Sequence, residues 1–336
     1  MPSVLSTLIG LGALVIGANL LVRGGTGIAA RLGVSPLLIG LTVVSLGTSA
    51  PELAIGIDAA LSGTPELATG NIVGTNIVNV LLILGLSALI RPIRMQVQSV
   101  RLDGPVIAVA GVLFLLMGLN GVLTRLEGLI LLVLGVGYTL AVIRFSRRES
   151  AAVRGELSQR YSQSGPEVRP GRTGAAEQAE PRRWRALADG VRLVAGIALV
   201  IVGADWLVSG SVQIAAALGV SDALIGLTIV AIGTSAPELV TTLVATAKGE
   251  RDIAIGNLIG SSVYNILFIM GATMLISPAP IEVPTQMVVM DLGVMTAVAL
   301  ACVPVFWSGR TISRLEGGVF VAAYAAYLTA LILLRT

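Results

Sequence analysis

Long apolar runs separated by short polar clusters set the pattern of this chain. Runs of about 20 residues cross a bilayer's hydrocarbon at ~1.5 Å of helical rise per residue. They fall near 3–22, 35–62, 67–90, 104–121 and 126–145, then near 188–208, 221–248, 253–276, 286–308 and 316–334. The pattern predicts an all-α membrane protein of ten transmembrane helices. Between the two sets, 146–185 is dominated by Arg, Glu, Ser, Gln, Gly and Pro. That stretch has too little apolar material to fold alone, so it reads as a flexible linker and not as a regulatory calcium-binding domain. No Lys or Arg precedes Arg23, so the first run lacks the charged start of a cleaved leader and is expected to be retained.

The two sets of runs are copies of each other. A shift of 186 residues lays Gly33–Gly85 on Gly219–Gly271 without a gap, with 26 of 53 positions identical. The match reaches upstream, where Gly17-Ala18-Asn19-Leu20-Leu21-Val22 faces Gly203-Ala204-Asp205-Trp206-Leu207-Val208. Downstream, Asp103 faces Asp291, and Arg125-Leu126-Glu127-Gly128 faces Arg314-Leu315-Glu316-Gly317. The expected units are 1–145, the linker 146–185, and 186–336. Five spans per copy is an odd number, so the second copy must run in the opposite sense. Inverted repeats of this kind place a transport site at the midplane between the halves.

Composition agrees with a membrane chain: 55% hydrophobic, 12% charged, and a mean hydropathy of +0.91. The absence of His and a single Cys, Cys302, argue against a disulfide framework or a zinc or haem centre. The net charge of +3 is no sign of nucleic-acid binding, because the basic residues are sorted by loop. With the N-terminus outside, 20 of the 22 Lys and Arg fall on the cytoplasmic side, eleven of them between Arg144 and Arg192. The positive-inside rule therefore predicts both termini outside and 146–185 in the cytoplasm.

Against this apolar background one polar hexapeptide occurs twice: Gly47-Thr48-Ser49-Ala50-Pro51-Glu52 and Gly233-Thr234-Ser235-Ala236-Pro237-Glu238. A carboxylate at membrane depth costs several kcal/mol and is by default functional. Pro51 and Pro237 each remove a helical N–H, which frees backbone oxygens near Ser45–Thr48 and Ala231–Thr234. The next span of each half carries Gly70-Asn71-Ile72-Val73-Gly74-Thr75-Asn76-Ile77-Val78-Asn79 or Gly256-Asn257-Leu258-Ile259-Gly260-Ser261-Ser262-Val263-Tyr264-Asn265. Thr75 and Asn79 share a helix face, as do Ser261 and Asn265. Twofold symmetry would pool Glu52, Glu238, Asn79, Asn265, Thr48, Ser49, Thr234 and Ser235. These are hard oxygen ligands, suited to Ca²⁺ or Na⁺. The four motif-bearing spans, second, third, seventh and eighth, are expected to be bent or locally unwound.

The doubled motifs resemble the α-repeats of the sodium/calcium exchanger family, within the calcium/cation antiporters, and the resemblance covers all ten spans. It implies a bundle of two inverted five-helix repeats whose broken helices line a central ion site, with Ca²⁺ and Na⁺ competing for adjoining positions. Carried over by position, the carboxylates are Glu52 and Glu238. Hydroxyl or carbonyl ligands fall on Thr48, Ser49, Thr75, Thr234, Ser235 and Ser261, and backbone carbonyls on Ser45 and Ala231. Aspartate at either asparagine position is linked to potassium co-transport in one branch; Asn79 and Asn265 argue against it here.

Two carboxylates carry about −2, which one Ca²⁺ or two Na⁺ would neutralise. Reorienting the bare site would leave both charges uncompensated in a low-dielectric core, so loaded forms cross more easily. That favours a Ca²⁺/Na⁺ antiporter of the inner membrane working by alternating access, with the lipid bilayer as surroundings. The transported ions aside, no cofactor, nucleic acid or obligate protein partner is expected. An H⁺/Ca²⁺ exchanger is the alternative, since protonation also neutralises the pair. A channel fits a doubled, inverted motif poorly, and an enzyme lacks a nucleophile–base pair. For Asn79 and Asn265, plain helix–helix hydrogen bonding stays open as a rival. Asp58 reads as interfacial. Glu127, Glu316, Asp103, Asp291, Glu66 and Asp252 read as helix-start or capping residues.

Overall fold

A computed structural model describes residues 2–163, 182–219 and 231–335. In chain order the helices are α1 (Pro2–Leu32), α2 (Pro36–Thr48), α3 (Ala50–Leu61), α4 (Pro65–Ile90), α5 (Ser99–Gly118) and α6 (Arg125–Gln163). The second half follows with α7 (Arg182–Ala217), α8 (Ala231–Thr234), α9 (Ala236–Lys248), α10 (Arg251–Ile276), α11 (Met287–Trp307) and α12 (Arg314–Arg335). Among the described residues eight helices are individually long and apolar enough to span a membrane. The α2–α3 pair, bent by 43°, makes a ninth. The run expected at 221–248 is described only from Ala231, as α8 and α9, and its first part lies outside the described residues.

Burial sorts these helices into an inner and an outer set. The spans of α4 and α10 are each 78% buried, against 17% to 28% for those of α1, α6, α7 and α12. The outer set instead exposes large apolar side chains such as Leu5, Leu8, Leu126, Val133, Val194 and Leu315, as lipid-facing helices do. The chain is an integral membrane protein, and the motif-bearing helices are the ones farthest from lipid.

The inverted symmetry is visible in small details. Two short antiparallel ladders clip the halves together: β1 (Ile93–Arg94) pairs with β4 (Thr311–Ile312), and β2 (Val122–Leu123) with β3 (Ile281–Glu282). Their registers, Ile93 opposite Ile312 and Leu123 opposite Ile281, are the same pairing after exchange of the halves. The long helices α1 and α7 pack antiparallel along a seam of glycines. Gly10, Gly17 and Gly24 recur every seven residues, and Gly196, Gly203 and Gly210 are their repeat copies. A Cβ on Gly17 would lie 2.9 Å from the Gly196 carbonyl oxygen; one on Gly203 would lie 2.9 Å from that of Gly10. Only glycine lets the backbones approach so closely, and in lipid such contact is a main source of helix association.

Several expectations need correction or completion. α4 and α10 are each one continuous helix, and the local unwinding expected there takes the form of a π turn, at Val78–Leu84 and Asn265–Met270. The inserted residue re-aims side chains without breaking the span. Further π turns open α5 at Ser99–Asp103 and α11 at Met287–Leu292. Asp103 and Asp291 are therefore not simple helix-start charges. They lie buried one turn inside, accepting hydrogen bonds from Tyr138 at 3.1 Å and Tyr327 at 2.9 Å. Glu127 and Glu316 do cap: Thr124 N–H and Oγ1 donate to Glu127 Oε2 at 2.7 and 2.8 Å, and Ser313 repeats the box on Glu316. Asp58 is exposed. Helix α6 runs on to Gln163, and 164–181 of the expected linker lie outside the described residues.

The glycine seam gives a paired prediction. Gly17→Val forces the α1 and α7 backbones apart and should cost about 1–3 kcal/mol or more, read as a lower unfolding temperature in detergent. Gly12→Val, whose Cβ meets nothing within 4 Å, should leave that temperature unchanged.

Candidate ion-binding site

The two hexapeptides break their spans in the same way. Ser49 and Ser235 leave helical geometry, at φ −85°, ψ 11° and φ −87°, ψ 7°. A new helix then begins, with Pro51 and Pro237 in its first turn. The missing N–H is harmless there, because first-turn donors have no intrahelical partner. Glu52 and Glu238 thus sit in the first turns of α3 and α9, where the helix dipole favours an anion. Both side chains are completely buried.

Cross-half contacts tie the breaks together. Ser49 donates to Glu238 Oε1 at 3.0 Å, and Ser261 donates to the same oxygen at 3.3 Å. Thr48 donates to Asn257 Oδ1 at 2.9 Å and lies 3.5 Å from Ser261 Oγ. The Ser45 carbonyl accepts the Ser49 N–H at 3.0 Å, and the Thr48 and Ser261 hydroxyl oxygens lie 3.3 and 3.5 Å from it. The Glu52 and Glu238 carboxylates are near enough to act on each other electrostatically. The structure therefore gathers Ser45, Thr48, Ser49, Glu52, Glu238 and Ser261 at one place.

The remaining expected residues are placed by their helices. Asn79 enters the π turn of α4 and Asn265 opens that of α10, each one turn beyond Thr75 or Ser261, and these two helices cross at their middles. Ser235 lies at the second break. Thr234 is half-buried and engaged by a neighbour; Ala231 opens the short turn α8.

A set of buried oxygens is left over. Among the described residues, both carboxylate oxygens of Glu52, Glu238 Oε2, Oδ1 of Asn79 and Asn265, Thr75 Oγ1 and Ser235 Oγ have no hydrogen-bond partner. Each orphaned buried group costs about 1–3 kcal/mol. The seven oxygens sit on six groups, which sum to an amount on the order of a whole domain's ~5–15 kcal/mol stability. The two amides are orphaned at nitrogen as well as oxygen, so their flip state does not alter this. Among the described residues no cluster of three or more Asp, Glu, Cys or His exists. A cation here would rest on two carboxylates and neutral oxygens.

The halves are not equivalent. Glu238 is hydrogen-bonded by Ser49 and Ser261, whereas among the described residues no side chain donates to Glu52, whose counterpart donors would be Ser235 and Thr75. Sequence reading missed Asn257, which accepts from Thr48 and donates to Thr242 Oγ1 at 3.1 Å. Its signal was present in the doubled Gly-Asn-x-x-Gly, where the glycines drew the weight. Thr242 had no such signal, because its repeat partner is Gly56. Accordingly the Asn71 amide nitrogen is unpaired. Gly256 and Gly260 do give close packing: a Cβ on Gly260 would come within 2.7 Å of the Leu41 carbonyl oxygen.

Residues 2–144 and 190–333 match the model of the sodium/calcium exchanger protein family. The chain belongs to the sodium/calcium exchanger family. It is 33% identical to the sodium/calcium exchanger MaX1 of Methanosarcina acetivorans, over 96% of this chain and 97% of that one. It is also 33% identical to the inner membrane protein YrbG of Escherichia coli, over 94% and 93%. The solved sodium/calcium exchanger from Methanococcus jannaschii superposes with a TM-score of 0.79 at 28% identity, covering 98% of each chain. The expected fold of two inverted five-helix repeats stands, and the chain is a cation antiporter.

Asn257 supplies the test of this geometry. Asn257→Leu should strand the Thr48 and Thr242 hydroxyls, lower stability by about 1–3 kcal/mol, and weaken Ca²⁺ binding. Unfolding in detergent with and without Ca²⁺ checks both.

Proposed function

We propose that this member of the family exchanges Ca²⁺ for Na⁺ by alternating access, with Glu52 and Glu238 sharing the transported ion. The observation that carries this reading is the set of seven buried oxygens unpartnered among the described residues, three on the two carboxylates, one from each half, and four on Asn79, Asn265, Thr75 and Ser235. Ca²⁺ takes six to eight oxygen ligands, so the number and the hardness of the set both suit it. Asn79, Asn265, Thr75 and Ser235 complete the shell in this reading. Thr48, Ser49, Ser261 and Thr234 supply hydroxyls at the breaks, and the Ser45 and Ala231 carbonyls lie at its edges. The two negative charges match one Ca²⁺ or two Na⁺, and a third Na⁺ would leave the site positive.

Ions displacing each other from one desolvated pair account for obligatory exchange. The pair can cross a low-dielectric barrier when neutralised, and is held back when bare. The basic residues support both termini outside, 146–185 in the cytoplasm between repeats 1–145 and 186–336, and residence in the inner membrane.

In proteoliposomes an outward Na⁺ gradient should drive ⁴⁵Ca²⁺ uptake, and collapsing it should stop the flux. Glu52→Gln and Glu238→Gln should each reduce that flux to background while the proteins remain folded. Uptake driven by a pH gradient without Na⁺ would instead identify H⁺ as the counter-ion, and retained flux in either variant would remove the site assignment.

A further inference from the structure

A polar track leaves the site along α9. Glu238, Thr242 and Thr246 are four residues apart and share one face of α9, with exposures of 0%, 0% and 1%. Thr241 beside them is equally buried. After Glu52 the repeat-related positions on α3 are Gly56 and Ala60, which carry no hydroxyl. Helix α9 packs on the last turns of α4, where Ser87 is fully buried. In the other half a Cβ on Gly56 would lie 2.6 Å from Thr273 Oγ1. Exchange of the halves turns that contact into Thr242 against Ser87.

The hydroxyls of the two seams are used differently. Thr273 gives its proton to the Ile269 carbonyl at 2.8 Å. The hydroxyls of Ser87, Thr241 and Thr246 are buried and have no partner. At membrane depth, unpaired polar groups belong where water or an ion can serve them. The seam also leads somewhere. Arg91 ends α4 one turn beyond Ser87, and Gly249 ends α9 three residues beyond Thr246 at φ 80°. Together with Glu250, Arg251 and Asp252 these two line a surface cavity of about 340 Å³. A Cβ on Gly249 would touch Arg91 Nη1 at 3.2 Å, so the guanidinium lies across the end of α9. Glu250 and Asp252 give that mouth two carboxylates.

We propose that the seam between α9 and the end of α4, walled by Thr242, Thr246 and Ser87, is the hydrated route for cations between Glu238 and the Arg91–Glu250–Asp252 mouth. Among the described residues the repeat-related seam, between α3 and the end of α10, has Gly56 and Ala60 in place of Thr242 and Thr246, and its Thr273 hydroxyl is already paired. The inference rests on Glu52 and Glu238 as the ion site, but it is tested by water access and not by flux.

In a Cys302→Ala background, Thr246→Cys and Ser87→Cys would be exposed in sealed vesicles to a membrane-impermeant cationic methanethiosulfonate. Lys248→Cys marks the side of the mouth, and Ala60→Cys is the repeat-related control. Thr246→Cys and Ser87→Cys should react from the Lys248 side alone, at least tenfold faster than Ala60→Cys does from that side. Thr246→Val, which keeps the volume and removes the hydroxyl, should slow Ca²⁺ flux several-fold. Monodisperse Thr246→Cys and Ser87→Cys proteins that stay unreactive from the Lys248 side, or that react from the other side, would overturn the proposal. The expected labelling in a protein whose Glu52→Gln variant still transports would keep the route and discard the ion site.

Discussion

Two carboxyl groups buried where the halves meet, Glu52 and Glu238, are the constraint around which this protein is arranged. Glu52 and Glu238 are both inaccessible to solvent and act on each other across the interface between the halves. Neither has a basic residue to neutralise it: the ion pairs of the described residues lie elsewhere, with Asp189 held by Arg31 at 2.7 Å and Arg192 at 2.9 Å. What surrounds the carboxylates is hydroxyl, amide and carbonyl. Such a pair is tolerable when a mobile cation supplies the missing charge, and the requirement that something positive occupy the site is the root of exchange.

The scaffold makes that arrangement possible by local means. Proline in a first helical turn removes a donor that has no use there, so each span can break at Ser49 or Ser235 and still begin a new helix carrying its glutamate. The π turns at Val78–Leu84 and Asn265–Met270 keep the neighbouring spans continuous while turning Asn79 and Asn265. Glycine seams allow the helices to close around so much polar surface, as where Gly256 and Gly260 press on α2 and where α1 meets α7. The β1–β4 and β2–β3 clips fasten the halves at opposite ends of the pseudo-twofold arrangement.

Most of this was legible from the sequence because the gene carries its own comparison. The doubled hexapeptide located the breaks, the odd span count fixed the inversion, and the apolar runs gave the helices. What escaped was whatever the two copies do not share or what periodicity cannot encode. Thr242 faces Gly56 across the repeat, so no doubling marked it as the brace of Asn257. A π turn leaves no signature in a hydrophobic pattern, so the form that the local unwinding of α4 and α10 takes could not be read from it. Asp103 and Asp291 looked like helix starts because they lie near the beginnings of their apolar runs, and the π turns that hold them, Ser99–Asp103 and Met287–Leu292, leave no mark in that pattern. Asp189 was overlooked because it lies among eleven arginines read as linker and flank, although Arg31 comes from the far side of the chain to meet it.

The proposal that the two glutamates contribute to one binding event is tested most directly by equilibrium binding of ⁴⁵Ca²⁺ to the purified protein. The account predicts one ion per chain for the native sequence, and none at the same concentration when either Glu52 or Glu238 alone is replaced by glutamine. Two ions per chain, lost one at a time as each glutamate is removed, would show two independent half-sites and contradict it.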